Sequence, residues 1–94
     1  MTVVMMSVHH PHPEHREALI DSMHRFGAAL QGQPGLISVQ TLADTDTDRL
    51  VGLAIFESRE ACASIIHLAR EDVADDPFDV WEKQPIDGFR LTDI

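Results

Sequence analysis

Six histidines, one tryptophan and one cysteine are the side chains best suited to chemistry, and four of the histidines crowd one short stretch. His9-His10-Pro11-His12-Pro13-Glu14-His15 holds imidazoles at the close spacing from which zinc, copper or nickel sites are built. Pro11 and Pro13 splay them, and no Cys or well-spaced carboxylate completes a tetrahedral set. The stretch therefore reads as a solvated strand-to-helix loop, with no metal expected. His67 stands beside Ile66 at the edge of an apolar helical stripe. There it is placed to take a proton from a substrate hydroxyl near neutral pH, or to serve as a plain boundary histidine. Trp81 follows Pro77 and Phe78 in an acidic segment. It either stacks on a flat ligand as the lid of a cleft or anchors a loose segment to the core. Cys62 lies on an apolar stripe with no activating base nearby and reads as inert core. Met5, Met6, Met23 and Phe26 suit ordinary core or an adaptable pocket wall. Arg90 suits a surface ion pair, a pair across a subunit boundary, or a contact to an anionic substrate.

These residues must be positioned by six main elements. Thr2 to Val8 is apolar on both alternating faces and reads as a central strand, ended by Pro11 and Pro13. Glu14 to Gln31 carries Leu19, Met23, Phe26 and Leu30 at helical spacing, and Gly32, Pro34 and Gly35 stop it. Gln33 to Ser58 reads as a β-hairpin: Leu36 to Ala43 and Arg49 to Phe56 flank the polar turn Asp44-Thr45-Asp46-Thr47-Asp48. That turn lacks the Gly and the distal Glu of an EF-hand loop, so it reads as solvated rather than as a calcium site. Ser58 caps a second helix with Cys62, Ile65, Ile66 and Ala69 as its stripe. Asp72 to Lys83 folds back as a short helical turn, and Ile86 to Ile94 is the last strand.

Strand, helix, strand, strand, helix, strand is the ferredoxin-like split βαβ order of an α+β fold (βαββαβ). It places two helices on one face of a four-stranded antiparallel sheet, in one domain spanning residues 1–94. The first strand then leaves an apolar sheet face uncovered, and a homodimer through that face is expected. On the hairpin, Val39, Val51, Leu53 and Ile55 read as a tightly packed face. Ser38, Gln40, Gly52 and Ala54 read as a small, partly polar face that leaves room for a ligand or for the second subunit.

Composition bounds the partners. A formal net charge of −9 argues against nucleic acid and anionic membrane surfaces. A single cysteine rules out an internal disulfide framework, no apolar run approaches a membrane span, and the start lacks the basic flank of a signal peptide. A soluble cytoplasmic protein is expected.

Three stretches carry a family likeness: Pro13-Glu14-His15 opening the first helix, Gln33-Pro34-Gly35-Leu36 entering the second strand, and Phe56-Glu57-Ser58-Arg59-Glu60-Ala61 leaving the third. In these the chain resembles the antibiotic biosynthesis monooxygenase family of dimeric α+β barrels, over nearly its whole length. The resemblance implies cofactor-independent oxidation of an aromatic phenol or quinol in an apolar cleft between helices and sheet. The substrate itself, as a carbanion, would reduce dioxygen, so no cofactor is expected. On this reading His67 is the catalytic base, and Ser38, Gln40, Gly52, Ala54, Phe56 and Trp81 contact the substrate. The chain departs from the family in three ways. Phe56 stands where the family has Trp, His67 falls about two positions late, and there is no Tyr or Asn. These departures keep a second reading open: a dimeric protein of the same fold that binds a small apolar molecule, or serves a structural role, without catalysis.

Overall fold

The computed structural model describes residues 1–94. The first strand, β1, runs Val3–His9, one residue later at each end than apolarity predicts. Pro13–His15 form a 3-10 turn with Pro13 at its first position, and helix α1 follows as Arg16–Leu30. The apolar stripe of α1 is buried at Leu19, Met23 and Leu30, as its spacing requires. Gly32 and Gly35 have φ of +78° and +93°, a backbone that side-chain-bearing residues rarely adopt, and they turn the chain into β2, Leu36–Ala43. After β3, Leu50–Phe56, the Ser58 hydroxyl accepts a hydrogen bond from the Ala61 N–H at 3.0 Å and starts α2, Arg59–Asp72. A one-turn helix α3, Phe78–Trp81, and strand β4, Asp87–Leu91, complete the chain.

The strands form one sheet in the order β2-β3-β1-β4, with every neighbouring pair antiparallel. This is the ferredoxin-like α+β fold, with α3 inserted before the last strand. The helices lie on one face. Phe56 and Leu30, both fully buried, join Ala54, Cys62, Ile65, Ile66 and Ala69 in the main core between α1, α2 and the sheet. Replacing a buried Phe of this kind by Ala typically costs ~3–5 kcal/mol. Phe56, expected at the substrate, therefore sits in the core and does not line the cleft described below.

Register decides which side chains meet the helices, because directly paired residues project from the same face. Val3, Met5, Ser7 and His9 pair with Phe56, Ala54, Gly52 and Leu50, and this set faces the helices. Val4, Met6 and Val8 pair with Ile55, Leu53 and Val51 on the opposite face, where Phe89 and Leu91 of β4 are 43% and 46% exposed. The sheet thus presents an uncovered apolar face, as its first strand predicts.

The hairpin does not divide into the expected β-branched and small faces. The turn sets Ala43 opposite Leu50, and pairing runs unbroken from there to Ser38 and Ile55; only beyond it does a bulge between Leu36 and Ser38 leave Ile37 unpaired. Val39 and Thr41 consequently pair with Ala54 and Gly52 on the helix side, while Ser38 and Gln40 pair with Ile55 and Leu53 on the open side. The four residues Ser38, Gln40, Gly52 and Ala54 do not share a face.

Candidate functional site

Between the helices and the sheet lies a cleft of about 570 Å³, within the range of small-molecule sites. Its walls are mostly apolar. Met5 of β1, Met23 and Phe26 of α1, Val39 of β2 and Phe78 of α3 border it, and Gly52 and Ala54 keep its floor low. Methionine and aromatic walls accept flat apolar ligands of varied outline.

A polar group reaches this cleft at one point on β1. A strand repeats every two residues, so Ser7 and His9 lie side by side on the helix-facing surface, and both border the cleft. His9 Nε2 is 2.9 Å from Ser7 Oγ, and His9 Nδ1 is 3.0 Å from Glu82 Oε2. The Glu82 carboxylate can only accept, so it takes the Nδ1–H, and Nε2 is left to accept the Ser7 hydroxyl proton. The second oxygen of Glu82, Oε1, accepts the His10 backbone N–H at 3.0 Å. The side chains of His9 and Glu82 retain 8% and 2% of their exposure, so the pair is shielded from water. No buried side-chain nitrogen or oxygen in the protein lacks a partner.

Glu82 is held by the short segment around it. Backbone hydrogen bonds from His12 N–H to Trp81 O (2.9 Å) and from Lys83 N–H to His10 O (2.7 Å) join it to the loop after β1. Trp81 packs against the Leu19, Met23 and Leu50 cluster and meets Phe78 edge to face, with ring centroids 5.7 Å apart. Of its two expected roles Trp81 takes the anchoring one, and it is not among the residues bordering the cleft.

Two strand neighbours of Ser7 carry no side chain. Ser7 pairs with Gly52 on β3 and with Gly88 on β4. A Cβ on Gly52 would lie 2.7 Å from Ser7 Oγ, whereas one on Gly88 would meet nothing within 4 Å. The hydroxyl therefore sits in a notch that is tight on the β3 side and open on the β4 side.

A second polar cluster fixes the cleft wall. Ser22 Oγ–H donates to Asp76 Oδ2 at 2.6 Å, and Arg25 Nη2 donates to the same oxygen at 2.7 Å. The Ser22 hydroxyl, and after it Arg25, hold the Asp76 carboxyl below its usual range against the opposing effect of burial. Hydrogen bonds to Asp76 and Asp21 raise the Arg25 guanidinium in turn. This ties the loop after α2 to α1 and sets the position of Phe78.

The sequence-expected site residues separate. Gln40, Gly52 and Ala54 border the cleft; Ser38 does not, and it lies on the open-face register. His67 is exposed on α2 and does not border the cleft. His9 and His10, expected in a solvated loop, turn to different carboxylates, His9 to Glu82 and His10 Nε2 to Asp87 at 3.0 Å. Ser7, His9 and Glu82 were not anticipated as a group. The Ser-x-His spacing on a strand is a signal for the first two; Glu82, 73 residues from His9, has no local signal.

No family profile matches the sequence, and no curated protein matches it. Solved structures do match in shape. Rv0793 from Mycobacterium tuberculosis has a TM-score of 0.86 at 18% identity, over 100% of this chain and 96% of its own. A protein of Nitrosomonas europaea provisionally named an antibiotic biosynthesis monooxygenase has a TM-score of 0.76 at 18% identity, over 99% and 90%. A further structure named antibiotic biosynthesis monooxygenase has a TM-score of 0.78 at 13% identity, over 98% of each chain. The chain therefore has the antibiotic biosynthesis monooxygenase-like fold. No helix is long and apolar enough to cross a membrane.

Proposed function

We propose that the protein is a cofactor-independent monooxygenase of small aromatic phenols or quinols, acting in the cleft between helices and sheet. The observation that carries this reading is the shielded Ser7–His9–Glu82 chain opening onto an apolar cleft of suitable size. The names of the similar structures support the class of reaction. His9 takes the role first expected of His67. A substrate hydroxyl donates to Ser7 Oγ, the Ser7 proton passes to His9 Nε2, and Glu82 stabilises the imidazolium that forms. Removing that proton spreads negative charge into the aromatic ring. The resulting carbanion reduces dioxygen; one oxygen atom enters the substrate and the other leaves as water. Met5, Met23, Phe26 and Val39 hold the ring and keep bulk water from the reactive anion.

In this reading two copies of the chain pack through the uncovered sheet face, burying Val4, Met6, Val8, Val51, Leu53 and Ile55. Exposed Phe89 and Leu91 on the same face favour that arrangement. The buried free thiol of Cys62 suits a reducing cytoplasm. Oxygen consumption with a panel of hydroxynaphthoquinols and anthrones tests the reading. Substrate-dependent uptake supports it. Ligand-induced stabilisation without uptake favours instead a dimeric binding protein of the same fold.

A further inference from the structure

We propose that Ser7 is also a nucleophile, and that the cleft hydrolyses aryl esters through a covalent acyl-Ser7 intermediate. Three features support this. First, the hydrogen-bond order is that of an activated serine. Glu82 accepts from His9 Nδ1 at 3.0 Å, and His9 Nε2 stands 2.9 Å from Ser7 Oγ. This hydroxyl–imidazole–carboxylate sequence is recognised by geometry and recurs on unrelated folds. Second, the Ser7 proton is engaged by His9 Nε2, so the oxygen lone pairs are left for a ligand. Third, the notch beside Ser7 is open towards Gly88, where a side-chain carbon would meet nothing within 4 Å. A planar carbonyl can approach from that side.

The reaction balances with water as its only co-reactant. Ser7 Oγ attacks the ester carbonyl carbon as its proton passes to His9 Nε2. The tetrahedral intermediate collapses, the bond from carbonyl carbon to aryloxy oxygen breaks, and the phenol leaves with the proton from His9. Water then attacks the acyl-Ser7 carbonyl as it gives a proton to His9; the bond from carbonyl carbon to Ser7 Oγ breaks, His9 returns the proton to Ser7 Oγ, and a carboxylic acid leaves. Arg90 borders the cleft, pairs in register with Met5 one step along from Ser7, and makes no ion pair. Arg70 also borders the cleft without an ion pair, and these two guanidiniums are the cations available to the developing oxyanion. The apolar walls select the aromatic half of the ester. The inference uses the cleft of the proposed oxygenase but none of its oxygen chemistry.

The test is labelling of the whole protein with a fluorophosphonate probe under argon, read by intact mass and peptide mapping, alongside hydrolysis of 2-naphthyl acetate. One adduct per chain at Ser7 is expected. Ser7→Ala should abolish both readouts, and His9→Gln should slow both by at least ~100-fold. No adduct at Ser7 in the folded wild-type protein overturns the proposal, as does labelling at Ser7 that is unchanged by His9→Gln. Because the experiment excludes oxygen, its failure leaves the oxygenase reading standing. Absent oxygen uptake leaves the nucleophile standing.

Discussion

Ser7 Oγ lies 2.9 Å from His9 Nε2, although both side chains belong to one strand and only one residue separates them. The contact depends on Gly52, because a Cβ there would fall 2.7 Å from the Ser7 oxygen. Ser7 is short and free to rotate, so Gly52→Ala should swing its hydroxyl away from His9 without breaking the sheet. The expected loss of stability is ~1 kcal/mol, the worth of one hydrogen bond. Oxygen uptake and Ser7 labelling should both fall at least ~10-fold. Urea unfolding measured beside the two activities checks this; full activity in a folded Gly52→Ala protein would contradict the role given to the contact.

The connection between α1 and β2 makes a second, purely structural prediction. Gly35 has φ +93°, and a Cβ on it would lie 2.5 Å from Ala61 Cβ at the start of α2. Gly32 has φ +78° with nothing within 4 Å. Gly32→Ala should therefore cost only the left-handed backbone penalty of ~1–2 kcal/mol. Gly35→Ala should cost that and a further ~1–3 kcal/mol of overpacking. Chemical denaturation of the two variants gives the difference directly.

The uncovered sheet face predicts a dimer. Leu53 pairs with Met6 in the middle of that face. A charge at this position would be buried unpaired between two sheets, which is strongly disfavoured. The wild-type chain should elute as a dimer at micromolar concentration and Leu53→Glu as a folded monomer. A wild-type monomer at that concentration would remove the proposed partner.

Much of the fold was legible because it rests on local chemistry. The stripe of α1, the Ser58 cap and the Asp44–Asp48 turn each carry their signal within a few residues. The hairpin faces were misread because the connection from Asp44 to Arg49 sets Val39 opposite Ala54 rather than opposite a large residue of β3, and alternation within each strand does not record that register. The site was less legible. Ending β1 at Val8 placed His9 in a loop with His10 and His12, which hid its alignment with Ser7. Glu82 reaches His9 only because Trp81 is anchored on the α1 core and the Lys83 and His12 amides bond across the gap. Such a contact depends on tertiary docking of distant segments, and no periodicity records it.

The hairpin turn gives a prediction in pH. Asp44 is drawn down to about 2 by the Asp46 backbone N–H, then by the Thr47 hydroxyl and the Arg49 guanidinium. Its folded value lies below the unfolded one of ~3.9, so its contribution is complete above ~pH 4 and is lost as pH falls through about 2. Asp44→Asn should be less stable than wild type at neutral pH, with the gap closing below pH ~3. Thermal unfolding across that range checks the sign; a gap that widens in acid would contradict it.

The most direct test of the central claim is oxygen consumption by wild type and His9→Ala with anthrones and hydroxynaphthoquinols, without added metal or flavin. The account predicts substrate-dependent uptake by wild type and a loss of at least ~100-fold in His9→Ala, the usual contribution of a general base. Uptake no faster than the spontaneous reaction across the panel, or uptake equal in the folded His9→Ala protein, would contradict it.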